Sequence, residues 1–149
     1  MSAGQITRGA VVGVLIGLLL AGCGAGSNFA DTYEAEKARI RSVVPSSIEC
    51  EERSATVMAC TNGDPFLIRL QDTGSGLTVM LGITYDIDPG LLRNVLAMYG
   101  LSQTEIDKCR ESGSLSGSNS KLSYSCNAGY DNSKQQSFLN MTFEQRRTF

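Results

Sequence analysis

Phe66-Leu67-Ile68-Arg69-Leu70-Gln71, Thr73-Gly74-Ser75-Gly76 and Leu77-Thr78-Val79-Met80-Leu81-Gly82-Ile83 form the stretch that decides the fold. Phe66, Ile68 and Leu70 alternate with Leu67, Arg69 and Gln71, and Leu77, Val79, Leu81 and Ile83 alternate with Thr78, Met80 and Gly82. A period of two puts each apolar set on one side of an extended strand, because successive side chains point to opposite faces of the pleat. The glycine-rich stretch between them is a turn. The whole reads as an antiparallel hairpin with one apolar face to bury.

Working back from this hairpin, residues 48 to 52 and 56 to 61 are two more short strand-like runs, flanking the polar turn Arg53-Ser54-Ala55. Before them a helix is expected with Asp31 as N-cap and Glu34 three residues on, the spacing of a capping box. Tyr33, Ile40 and Val43 form its apolar stripe, Glu36, Lys37, Arg39 and Arg41 its wet face, and Pro45 ends it.

Working forward, Asp88 can cap a helix with Pro89 at the first helical position and Leu92, Val95, Leu96 and Tyr99 at helical spacing. Gly100 suits a left-handed stop, with Leu101 folding back towards Leu96. Ser102 and Glu105 make a second capping box, stapled by Leu101 and Ile106, for a helix to about Arg110. Residues 111 to 121 are expected as a Ser/Gly loop, Leu122, Tyr124 and Cys126 as a strand, and Asn127 to Lys134 as a turn-rich connection. Leu139, Met141 and Phe143 alternate in a last strand, with Glu144 to Phe149 as a frayed tail. Segregated strands and helices predict an α+β fold: an antiparallel sheet of about five or six strands with helices packed on one face.

Four cysteines, Cys50, Cys60, Cys109 and Cys126, fall inside this domain. In an exported domain they read as two disulfides with three possible connectivities; the wide spacings do not favour zinc. A hairpin centred on Ala55 puts Cys50 opposite Cys60, which leaves Cys109 with Cys126 to tie the third helix to the strand holding Tyr124.

The fifth cysteine belongs to the N-terminus. Met1 to Arg8 is polar with one positive charge, Gly9 to Leu20 is uncharged and apolar, and Leu20-Ala21-Gly22-Cys23 follows. This resembles the signal and lipobox of bacterial lipoproteins. The resemblance implies removal of residues 1–22, acylation of Cys23, and an anchor of two or more acyl chains, which holds far better than one. Residues 23–28 then tether a single domain, 29–149, to a membrane. Gly24, where an aspartate would imply inner-membrane retention, favours the outer membrane if the source is Gram-negative.

Composition narrows the chemistry. The chain has 149 residues, of which 13 are Lys or Arg and 15 Asp or Glu. Arg8 is the one charged residue within the signal, so the remainder carries 12 basic and 15 acidic residues, a charge of −3. That balance gives no basis for nucleic-acid binding. With no histidine, Ser-His-Asp and Cys-His nucleophilic systems and His-ligated zinc are excluded. Carboxylate-only catalysis would draw on Glu49, Glu51 and Glu52, of which Glu49 and Glu51 share a strand face; the simpler reading is a solvated edge whose charges discourage pairing. Asp86 and Asp88 are too few oxygens for calcium, and Asp88 serves better as a cap. Tyr124, Tyr130, Phe138 and Phe143 are core residues or, alternatively, an exposed aromatic binding face.

The expected function is that of a non-enzymatic envelope lipoprotein without cofactor or metal, held to the membrane at Cys23 and binding another envelope protein or glycan. The rivals are a carboxylate-dependent cell-wall glycan hydrolase, and an inhibitor that inserts residues 111–121 into an envelope hydrolase.

Overall fold

The structure, a computed structural model, describes residues 29–63, 66–84 and 88–146. Among these, three helices and seven strands follow in the order α1 (Tyr33–Val43), β1 (Glu49–Ser54), β2 (Val57–Thr61), β3 (Phe66–Asp72), β4 (Leu77–Thr84), α2 (Pro89–Met98), α3 (Gln103–Ser112), β5 (Ser114–Ser118), β6 (Leu122–Asp131) and β7 (Gln136–Gln145). The strands form one antiparallel sheet in the order β1-β2-β3-β4-β7-β6-β5, so the fold is α+β with more strands than the sequence suggested.

The β3–β4 hairpin is the centre of this sheet. Phe66 faces Ile83, Ile68 faces Leu81 and Leu70 faces Val79. The apolar rows continue into Met58 and Cys60 on one side and Leu139, Met141 and Phe143 on the other, all buried. A buried Leu, Ile or Phe side chain contributes about 1.5–3 kcal/mol relative to exposure, so one continuous apolar face fixes the register of the central strands. The helices cover this face. The Tyr99 ring, at the end of α2, stacks on Phe143 at 4.4 Å between centroids, and Cys109 of α3 bonds Cys126 of β6.

Local chemistry sets the helix ends. Asp88 accepts the Gly90 N–H at 2.9 Å, and Pro89 opens α2. Gly100, at φ 72°, closes it: its N–H bonds the Ala97 carbonyl while Leu101 N–H bonds that of Leu96, the paired bonds of a Schellman stop. The Glu105 carboxylate accepts both the backbone N–H of Ser102 and its hydroxyl at the start of α3, holding the carboxyl below its usual range.

Five expectations are corrected. Thr32, not Asp31, caps α1: its backbone is extended and its hydroxyl accepts the Ala35 N–H at 3.2 Å, while Glu34 turns to Lys37. Glu36 and Lys37 are buried rather than wet, because positions 36 and 37 lie between Tyr33 and Ile40 on the face that packs against the sheet. Residues 111–121 are not a loop: α3 runs to Ser112, Gly113 caps it at φ 78°, and Ser114–Ser118 pairs with β6. The connection expected over 127–134 is strand as far as Asp131, and Glu144 and Gln145 belong to β7, because each strand finds a full-length partner in the other. Residues 147–149 of the expected tail lie outside the described residues.

Candidate functional site

The helices occupy one face of the sheet and leave the other open. Gly82 of β4 lies there between Leu67 of β3 and Asn140 of β7, its register partners. Having no side chain, it forms the floor of a groove of about 390 Å³. A Cβ at this position would stand 3.3 Å from the Asn140 amide oxygen and 4.0 Å from Leu67 Cβ, so any side chain here would occupy the floor and crowd Asn140.

Phe138 supplies one wall. It is the register partner of Thr84 on β4 and Gly129 on β6. Its ring rests over Gly129, where a Cβ would meet ring atoms at 2.9 and 3.1 Å. A glycine thus seats the aromatic edge towards β6, away from Gly82. Leu67, 42% exposed, is the opposite apolar wall.

The rim comes from the β6–β7 turn. The Asp131 carboxylate accepts the Ser133 hydroxyl at 2.6 Å and the N–H groups of Ser133 and Lys134 at 2.9 and 3.3 Å. These bonds, the hydroxyl foremost, hold its carboxyl below the usual range, so it stays an anion and a turn-former rather than a proton donor. Lys134 and Gln136 complete the rim. The groove offers two apolar walls, neutral hydrogen-bonding groups from Asn140, Thr84 and Gln136, and one charge of each sign.

The carboxylates on which catalysis would draw are elsewhere, on β1. Glu52 faces α1, where Lys37 Nζ contacts it at 2.6 Å and Arg41 at 3.7 Å. The Lys37 hydrogen bond holds its carboxyl below the ordinary value, the opposite of what a general acid requires. Glu51 is on the other face, 2.9 Å from Arg53, and Glu49 is exposed at the start of the strand. The four aromatic residues do not form one surface: Phe143 is in the core, Tyr124 is half-buried facing α3, Phe138 is in the groove and Tyr130 is 56% exposed.

The cysteines stand at bonding distance as Cys50–Cys60 and Cys109–Cys126, with Cα atoms 3.9 and 6.2 Å apart. Asp88 is the α2 cap; Asp86 and Cys23 lie outside the described residues. Sequence reading missed Gly82, Asn140 and Lys134 as site residues. The one signal present was a glycine interrupting a regular strand, which marks a bulge or a close approach. No known protein family, no curated protein and no solved structure matches this chain.

Proposed function

We propose that this chain is an exported cell-envelope lipoprotein, anchored through Cys23, whose domain binds an envelope glycan and does not cleave it. The observation that carries the reading is the groove over Gly82. Apolar walls from Leu67 and Phe138 suit the C–H faces of a sugar ring, and the neutral amides and hydroxyl between them suit its hydroxyl groups. Of the carboxylates a hydrolase would draw on, Glu52 is held by Lys37 and Arg41 and Glu51 by Arg53, and they lie on β1 rather than in the groove. The segment an inhibitor would insert is paired as β5.

The position of the groove fits a tethered binder. Phe29 and Ala30 are fixed at the far end of β7, where the Gln145 side-chain N–H donates to the Ala30 carbonyl at 3.4 Å. Gln145 follows Phe138 along the strand by a distance of about 24 Å at ~3.4 Å per residue. The tether 23–28 reaches at most about 20 Å from the lipid. The groove therefore lies at the end of the sheet opposite the point where Ala30 is held.

Full-length lipidated protein in detergent should co-sediment with isolated cell-wall sacculi, and Gly82→Val and Phe138→Ala should each reduce retention several-fold. Circular dichroism and disulfide mapping check that both variants fold. Wild-type protein left in the supernatant, or equal retention of both variants, overturns the glycan site. Release of soluble sugar by wild-type protein would restore the hydrolase reading.

A further inference from the structure

We propose that β5 is a dimerisation edge, on which a second copy of this chain adds its own β5 antiparallel and centred on Ser116. The inference is independent of the groove.

Two hydrogen bonds fix which way the groups on β5 point. Ala128 N–H donates to the Gly113 carbonyl and Asn119 N–H to that of Leu122, both at 2.9 Å. In an antiparallel ladder, residues bonded inward alternate with residues whose N–H and C=O point the other way. Gly113, Leu115, Gly117 and Asn119 therefore bond inward to β6, and Ser114, Ser116 and Ser118 face outward. β5 is the last strand of the sheet, and no described residue bonds the outward groups of Ser116 and Ser118. The Ser114 carbonyl accepts the Ser112 hydroxyl at 2.5 Å and keeps a second lone pair.

The sheet treats its two edges differently. β1 carries Glu49, Glu51, Glu52 and Arg53 and shifts register between Glu52 and Ser54, the usual devices against edge pairing. β5, Ser-Leu-Ser-Gly-Ser, has no charge, no proline and no irregularity. Gly117 lies under the Tyr124 ring, where a Cβ would meet ring atoms at 2.6 Å, so the edge is kept free of a side chain at that position.

The occupant follows from symmetry. With Ser116 opposite its own copy, Ser114 meets Ser118 of the second copy, and the outward groups of all three serines become bonded pairs. Any charge on the edge would face its like near the axis and oppose pairing; β5 has none. The twofold axis of such a pair is normal to the sheet, so both helix layers stay on one side. Phe29, packed on Tyr99 at 5.3 Å, lies on that same side in each copy, so the pair is compatible with both tethers running to one membrane. A single strand edge buries little area, which places the contact in the weak class. Lipid anchoring in a shared membrane, where it holds, raises the effective concentration.

Single-cysteine variants test the register in membranes containing the full-length protein. At a hydrogen-bonded position Cα atoms stand about 5.5 Å apart, within disulfide range, so Ser116→Cys should form a covalent dimer under mild oxidation. Ser114→Cys and Ser118→Cys are each displaced from their own copies by roughly 14 Å. Each should stay monomeric alone and dimerise when the two are co-expressed. Maleimide labelling shows that all three thiols react, and peptide mapping shows that the native pairs are intact. Monomeric Ser116→Cys, equal cross-linking by all three, or a cross-link from residue 116 to a different protein would overturn the proposal.

Discussion

The Tyr99 hydroxyl donates to the Glu36 carboxylate at 2.7 Å, joining residues 63 positions apart beneath α1, and Glu36 is wholly buried. The same carboxylate accepts the Ala30 N–H at 2.6 Å and lies 3.3 Å from an Arg39 nitrogen. Arg39 in turn donates to the Met98 carbonyl at 2.8 Å. One buried anion thus fastens the start of the domain, α1 and the end of α2 together.

Tyr99→Phe keeps the ring contacts with Phe29 and Phe143 and removes one donor from that anion. It should cost about 1–3 kcal/mol of unfolding free energy, the penalty for a buried polar group left short of a partner. Burial, then the Glu36 charge, pushes the Tyr99 hydroxyl well above the ordinary phenol range. The folded state therefore holds this proton more tightly than the unfolded state. The contribution is complete below the ordinary value of 10.0 and is lost as pH rises beyond it. Urea titrations at neutral pH and above pH 10 should show stability falling more steeply in wild type than in Tyr99→Phe; parallel curves would contradict the assignment.

Glu52 predicts the opposite limb. Its carboxyl is held below the ordinary value of 4.5 by the Lys37 hydrogen bond and charge, so its contribution is present above that value and lost as pH falls below it. Glu52→Gln should flatten the acid side of the stability profile while leaving Lys37 bound to Glu34, 2.7 Å away. The pair is partly solvated, and added salt should reduce the difference.

The Cys109–Cys126 bond closes a segment with a sequence separation of 17. By the chain-entropy relation, a loop near this length is worth about 3 kcal/mol. Cys109→Ser with Cys126→Ser should lower stability by roughly that amount in denaturant titration and expose the edge from Gly113 to Ser118 to protease. Non-reducing peptide mapping of wild type should recover Cys50 with Cys60 and Cys109 with Cys126, and no cross-pairs.

Processing at Leu20-Ala21-Gly22-Cys23 predicts a mature N-terminus at Cys23 carrying acyl mass. Mass spectrometry of membrane extracts reads this directly. Cys23→Ser should leave an uncleaved or unlipidated precursor, and recovery of soluble wild-type chain beginning elsewhere would refute the lipobox.

What the sequence by itself determined is local or strictly periodic. The alternation in Phe66–Leu70 and Leu77–Ile83 fixed a hairpin because a one-residue slip would expose every apolar side chain. Asp88-Pro89, Gly100-Leu101 and Ser102 to Glu105 fixed helix ends because their partners lie within a turn of the chain. A short hairpin over residues 49–61 sets Cys50 against Cys60 as expected, although it turns at Ala55-Thr56 and a register shift between Glu52 and Ser54 makes up the odd residue. Tertiary structure decided whatever depends on a distant partner. Ser114–Ser118 has little strand preference of its own and becomes a strand because β6 offers it a ladder. Glu36 and Lys37 are charged side chains in a short helix, and their burial is made tolerable by Tyr99, Ala30 and Glu52 from elsewhere in the fold together with Glu34 and Arg39 one turn away. Likewise Gly82 is an ordinary interruption in a strand until β3 and β7 bring Leu67 and Asn140 beside it, and a missing side chain becomes the floor of a groove.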